Sequence, residues 1–168
     1  MKNIFAIILL FLSICTNAQK TPKMRVGELD SLTVAQNMFD DMNFVMAFPY
    51  INQLQINHPE DDRLKYMTGI CCLFREEQQA HALKLLQEVY KSNKNAEDIE
   101  YYLALAFHYN NKFEEAIDIV DIYLKRKLTK PQIRSAEKLK EFCLAKNKIV
   151  PLPDEGKLDD YVKLDPNE

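Results

Sequence analysis

The chain is 168 residues long and has only three glycines and no tryptophan. Gly27, Gly69 and Gly156 stand far apart, so no glycine-rich loop can bring backbone up to a phosphate or a nucleophile. Nucleotide-binding enzymes are disfavoured on that ground alone. Histidine is as scarce: His58, His81 and His108 are scattered, and none sits beside a serine or cysteine with an orienting carboxylate. No histidine or second cysteine falls at metal-ligand spacing. The acidic clusters lack the alternating oxygen ligands and central glycine of a calcium loop. A basic excess is missing too. The net charge is -3 and the pI is near 5.7, which argues against a nucleic-acid partner. No catalytic residue, cofactor site or metal ligand is expected, and no small-molecule substrate. The composition is that of one soluble domain that binds rather than converts.

What is present begins with an address. Met1-Lys2-Asn3 carries a positive charge, Ile4 to Ile14 is apolar, and Thr16-Asn17-Ala18 ends on a small residue. That order is the order of a secretory signal peptide. Eleven apolar residues span roughly 16 Å as a helix, short of the hydrocarbon core of a bilayer. Cleavage after Ala18 is expected, with a mature chain from Gln19. Acylation at Cys15 is disfavoured, since Ile14 stands where lipoprotein signals carry a small residue. The mature chain keeps Cys71, Cys72 and Cys143, an odd number that cannot all pair internally. They read as small buried hydrophobes on helices.

From Leu29 to Asn147 the apolar residues follow a helical period, and the pattern repeats. Small residues lead at Ala35, Gly69 and Ala104, in steps of 34 and 35. A second series at Ala47, Ala82 and Ala116 steps by 35 and 34. Two independent markers share one period. Such residues let the two helices of a unit approach closely, with larger apolar side chains around them. Phe44 and Phe113 precede the second alanines and suit the inter-helix turn. Pro59 stops one helix, Asn110-Asn111-Lys112 turns another, and Arg75 to Gln79 holds one extra residue. Glu60-Asp61-Asp62 and Glu97-Asp98 place negative charge at helix N-termini, and Lys125-Arg126-Lys127 place positive charge near a helix C-terminus. Thr129-Lys130-Pro131 opens a last one-sided helix, running to about Lys146, that closes the stack.

These residue types and spacings resemble the tetratricopeptide repeat over roughly Glu28 to Leu128. The third unit, Tyr101 to Phe107 followed by Phe113 to Ile117, carries the likeness most strongly. The resemblance implies an all-α, solenoid-like stack of about three helix-turn-helix repeats with a C-terminal capping helix. The expected organisation is a signal peptide (1–18), a linker (19–27), the helical domain (28–147) and an extended or flexible tail (148–168). More loosely, Gly69 to Leu73, Ala82 to Leu86 and the closing helix resemble the N-terminal repeat region of exported Gram-negative cell-envelope proteins of the OmpA and propeller type. The chain has no propeller or peptidoglycan-binding domain of its own, so peptidoglycan contact is not implied.

In the resembled fold, the inner face of each first helix lines a groove. Counting from the small positions, that face comprises Gln36, Phe39, Asp40, Tyr66, Ile70, Leu73, Phe74, Tyr101, Leu105, His108 and Tyr109. The stripe is apolar and aromatic, suited to a peptide or helix, unless the closing helix or tail covers it. Its residues differ from the Lys and Asn clamp that chaperone-binding members use for a terminal carboxylate. The expected function is a non-catalytic exported adaptor holding a protein or peptide partner in the bacterial envelope, periplasmic or outer-membrane associated, with membrane association only through partners. The rival expectation is a permanently docked subunit of an outer-membrane secretion or transport assembly.

Overall fold

Capping chemistry sets most helix boundaries in this chain, whose computed structural model describes residues 23–147. The expected signal peptide and tail lie outside the described residues. Among the described residues there are seven α-helices and no strand: α1 (Val26–Asp40), α2 (Phe44–Asn57), α3 (Asp62–Leu73), α4 (Gln79–Ser92), α5 (Ile99–Tyr109), α6 (Phe113–Tyr123) and α7 (Lys130–Leu144). Helix α1 starts at Val26, ahead of the expected boundary, because the Glu28 carboxylate reaches back to the Arg25 N–H at 2.8 Å. Asp61 caps α3, its carboxylate accepting from the N–H groups of Arg63 (2.9 Å) and Leu64 (3.2 Å). Thr129 and Gln132 form a reciprocal capping box that opens α7. At the other end, α2 stops at Asn57, two residues before Pro59.

Two features depart from the sequence reading. Pro49 lies inside α2, where it removes one ladder hydrogen bond. The carbonyl left over belongs to Val45, which is 63% exposed, so the loss falls next to water. Within the basic run after α6, the Arg126 side chain turns to other partners than that helix end. Arg126 Nη1 lies 3.0 Å from the buried carboxylate of Glu100, and its Nη2 donates to the Lys94 carbonyl at 3.0 Å, tying the α6–α7 connection to the start of α5. The extra residue of the second unit is absorbed by a 3₁₀ turn at Glu76–Gln78.

Each helix packs against the next one in the chain, and α5 also touches α3 and α7. The small residues lie where these helices meet: Ala35, Ala47, Ala82, Ala104 and Ala116 are fully buried. A Cβ on Gly69 would stand 2.9 Å from Leu86 Cγ, so α3 and α4 approach too closely for any larger residue. One continuous core runs from α1 to α7, and a satellite cluster of Leu32, Leu54 and Leu64 supports the first two helices. No helix among the described residues is long and apolar enough to cross a membrane.

Candidate functional site: an aromatic cleft on the odd-numbered helices

Adjacent residues on a helix point about 100° apart, so the doublet Tyr101-Tyr102 cannot bury both rings in one core. Tyr101 is buried against Tyr123 of α6, with ring centroids 5.8 Å apart, and Tyr102 turns toward Tyr66 of α3 at 6.2 Å. Tyr66 in turn meets Phe39 at the end of α1, and Phe39 meets Phe44 at the start of α2. The rings form one chain from α2 to α6. They line an open cleft of about 480 Å³, closed at its far side by Thr129, Gln132 and Ser135 of α7 and its cap. That volume is in the range of small-ligand sites. Asp40, Met42, Glu97 and Asp98 complete the lining.

Asp98 organises the polar end. It occupies the N-cap position of α5, yet its backbone is left-handed (φ 47°) and its carboxylate does not cap the helix. The expectation that it serves the helix N-terminus is corrected on this point. Instead the Tyr123 hydroxyl donates to it at 2.7 Å, and the Gln132 side-chain amide lies 3.1 Å from both oxygens. A non-glycine residue holds a left-handed conformation only when its surroundings demand it. Here three helices converge on that one carboxylate. The Tyr66 hydroxyl donates to the neighbouring Glu97 carbonyl. Burial pushes the phenols of Tyr66, Tyr101 and Tyr123 well above their usual value, with the Asp98 carboxylate adding to the shift. They stay neutral donors.

The eleven residues expected on the inner face divide in two. Phe39, Asp40, Tyr66 and Tyr101 do line the cleft. Ile70, Leu73, Leu105 and His108 do not: they are fully buried in the core, and the expectation of an open stripe does not hold for them. Helix α3 is packed on several sides, so every residue from Met67 to Leu73 is inside. Helix α7 meets α5, and there His108 Nδ1 lies 3.2 Å from Cys143 Sγ. Phe74, half-buried, stacks on Phe44 at 4.9 Å, and Tyr109 is half-buried beside His108. Gln36 is exposed outside the lining. On α3 and α5 the residues expected beyond the small positions fall outside the lining, whereas Tyr66 and Tyr101, expected ahead of them, line it. The cleft opens one turn earlier, at Tyr66 and at Glu97 to Tyr102.

His58 and the three described cysteines lie outside the cleft. His58 Nε2 lies 3.2 Å from Glu28 Oε2, and Asn57 donates to the same carboxylate, so the start of α1 is latched to the end of α2. Cys71, Cys72 and Cys143 are free thiols, and burial pushes them up to about 12, 11 and 11, respectively. Thiols so placed are poor nucleophiles. Among the described residues no cluster of His, Cys, Asp or Glu is arranged to hold a metal ion.

Set beside known proteins, the chain matches no protein family, no curated protein and no solved structure.

Proposed function

We propose that the chain is a non-catalytic, tetratricopeptide-like adaptor that holds a protein partner through the aromatic cleft. The observation that carries this reading is the cleft itself. Its walls come mainly from α1, α3 and α5, the first helices of the three units, and from the closing helix α7, with Phe44 of α2 and Tyr123 of α6 adding rings, and neighbouring rings meet at steep angles along them. The chain-order packing of helices and the buried small residues at the 34-to-35-residue period support a stacked repeat. Aromatic side chains carry much of the energy of protein interfaces, since they bury large area at little entropic cost. The apolar run from Ile4 to Ile14 supports export to the envelope. Panning a random peptide library on the purified chain tests the reading. Peptides selected by the parent chain and lost on Tyr102→Ala, with the helical signal intact, support it. Selection that ignores the cleft substitutions removes it.

A second reading has its own observation. Val26, Val45, Met46 and Ile56 are large apolar residues exposed on the first two helices. They favour permanent docking in a larger envelope assembly. A chain that purifies as a stable monomer speaks for the adaptor, whereas one that precipitates without its assembly speaks for the docked subunit.

A further inference from the structure

Among the described residues the lining of the cleft carries three carboxylates, Asp40, Glu97 and Asp98, and no lysine, arginine or histidine. None of the three forms an ion pair among the described residues. Asp98 is the most enclosed, and among the described residues its hydrogen bonds come from neutral donors, the Tyr123 hydroxyl and the Gln132 amide. Its charge is therefore oriented but not neutralised. A charge held partly out of water costs free energy until a counter-charge arrives. Tyr66 and Tyr102 line the same cleft, and aromatic rings attract cations through their quadrupole.

A second, separate feature lies on the opposite wall. Ser135 lines the cleft, is only 3% exposed, and its hydroxyl has no hydrogen-bond partner among the described residues. Buried hydroxyls are ordinarily paired, and an unpaired one is destabilising. A cationic N–H donor entering the cleft supplies what Ser135 and Asp98 each lack among the described residues.

We propose that the occupant of this cleft is an extended basic segment of a partner protein, seated by an arginine or lysine side chain between the tyrosines, Asp98 and Ser135. This rests on the reading of the cleft as a partner site and gives that partner its chemistry. The chain's own tail is the wrong charge for the place. From Asp154 to Glu168 it has six acids against two lysines, and like charge opposes docking.

The test is fluorescence anisotropy on the purified full chain with labelled peptides of one backbone pattern: alternating Gly-Arg, Gly-Gln and Gly-Glu, together with a peptide of residues 154–168. The Gly-Arg peptide is expected to bind at least about tenfold more tightly than Gly-Gln, more weakly as salt screens the carboxylates, and the two acidic peptides not at all. Glu97→Gln and Ser135→Ala each weaken Gly-Arg binding severalfold. Ser135→Ala does so with a melting temperature unchanged or raised, which a purely structural hydroxyl does not combine with lost binding. Glu114→Gln, an acid outside the cleft, leaves binding unchanged. Equal binding of Gly-Gln and Gly-Arg overturns the inference and leaves the groove reading standing. Binding lost equally on Glu114→Gln reduces the effect to general charge attraction and overturns it as well. Preferential binding of the 154–168 peptide assigns the cleft to the tail. Concentration-dependent dimers abolished by Glu97→Gln assign it to a second copy. No binding by any peptide removes both readings.

Discussion

Helices α1 and α2 expose Val26, Leu29, Val34, Val45, Met46 and Ile56, whereas α3 buries seven consecutive residues from Met67 to Leu73 and α5 buries six from Leu103 to His108. The two regions share one repeat pattern but not one environment. A helix with neighbours on one side keeps an inner and an outer face. One packed on several sides takes apolar residues all round, and the periodicity that would mark its inner face is erased. This is why two of the three residues expected on α1, Phe39 and Asp40, line the cleft, whereas on α3 and α5 only Tyr66 and Tyr101 of the expected eight do.

The comparison can be broken by substitutions graded from the centre outward. Leu86→Ala, in the fully buried α3–α4 contact, should cost about 3–5 kcal/mol in chemical denaturation, as deep cavities do. A loss below about 1 kcal/mol there would mean that the centre is as loosely packed as the ends. Gly69→Ala should follow, at about 1–3 kcal/mol, because the new Cβ meets Leu86 Cγ at 2.9 Å and a branch carbon cannot swing aside. An unchanged melting temperature would show that α3 and α4 separate easily. Asp61→Ala should cost about 1 kcal/mol by removing a cap that serves two N–H groups.

The smallest effect belongs to the latch between α1 and α2. The Arg25 N–H chiefly, helped by His58 and Asn57, holds the Glu28 carboxyl below its ordinary value of 4.5. A carboxyl so lowered supports the folded state above its ordinary value, and that support is lost as pH falls through the lowered one. The protection factor of amides at the α1 N-terminus, taken against the intrinsic exchange rate at each pH, should therefore fall below pH about 4.5 while α5 stays protected. Glu28→Gln should make that protection factor independent of pH over the same range. Persistence of the pH response in Glu28→Gln would assign it to another group.

The fold was legible because it rests on local signals. Small residues at a fixed period, Pro59, Asn110-Asn111 and the Thr129 cap each act within a few residues of themselves. The cleft was legible only in part. Asp98 follows Glu97 just ahead of a helix and reads as a cap, and nothing nearby announces that Tyr123 and Gln132 will reach it from 25 and 34 residues away. The Tyr101-Tyr102 doublet was the one local hint, since two adjacent rings cannot share one core. Ser135 gave no hint at all, because its missing partner is a property of three helices assembled.

The chain-order packing of the helices also has a consequence in time. Contacts made mostly between neighbours along the chain keep sequence separations short, and short separations favour fast folding. Each helix has a packing partner as soon as the next one has been made, so the helices can assemble from α1 onward while the rest of the chain is still emerging. The Asp98 junction is the exception. It closes only when α7 arrives with Gln132, so the cleft acquires its far wall last, after most of the core is already in place.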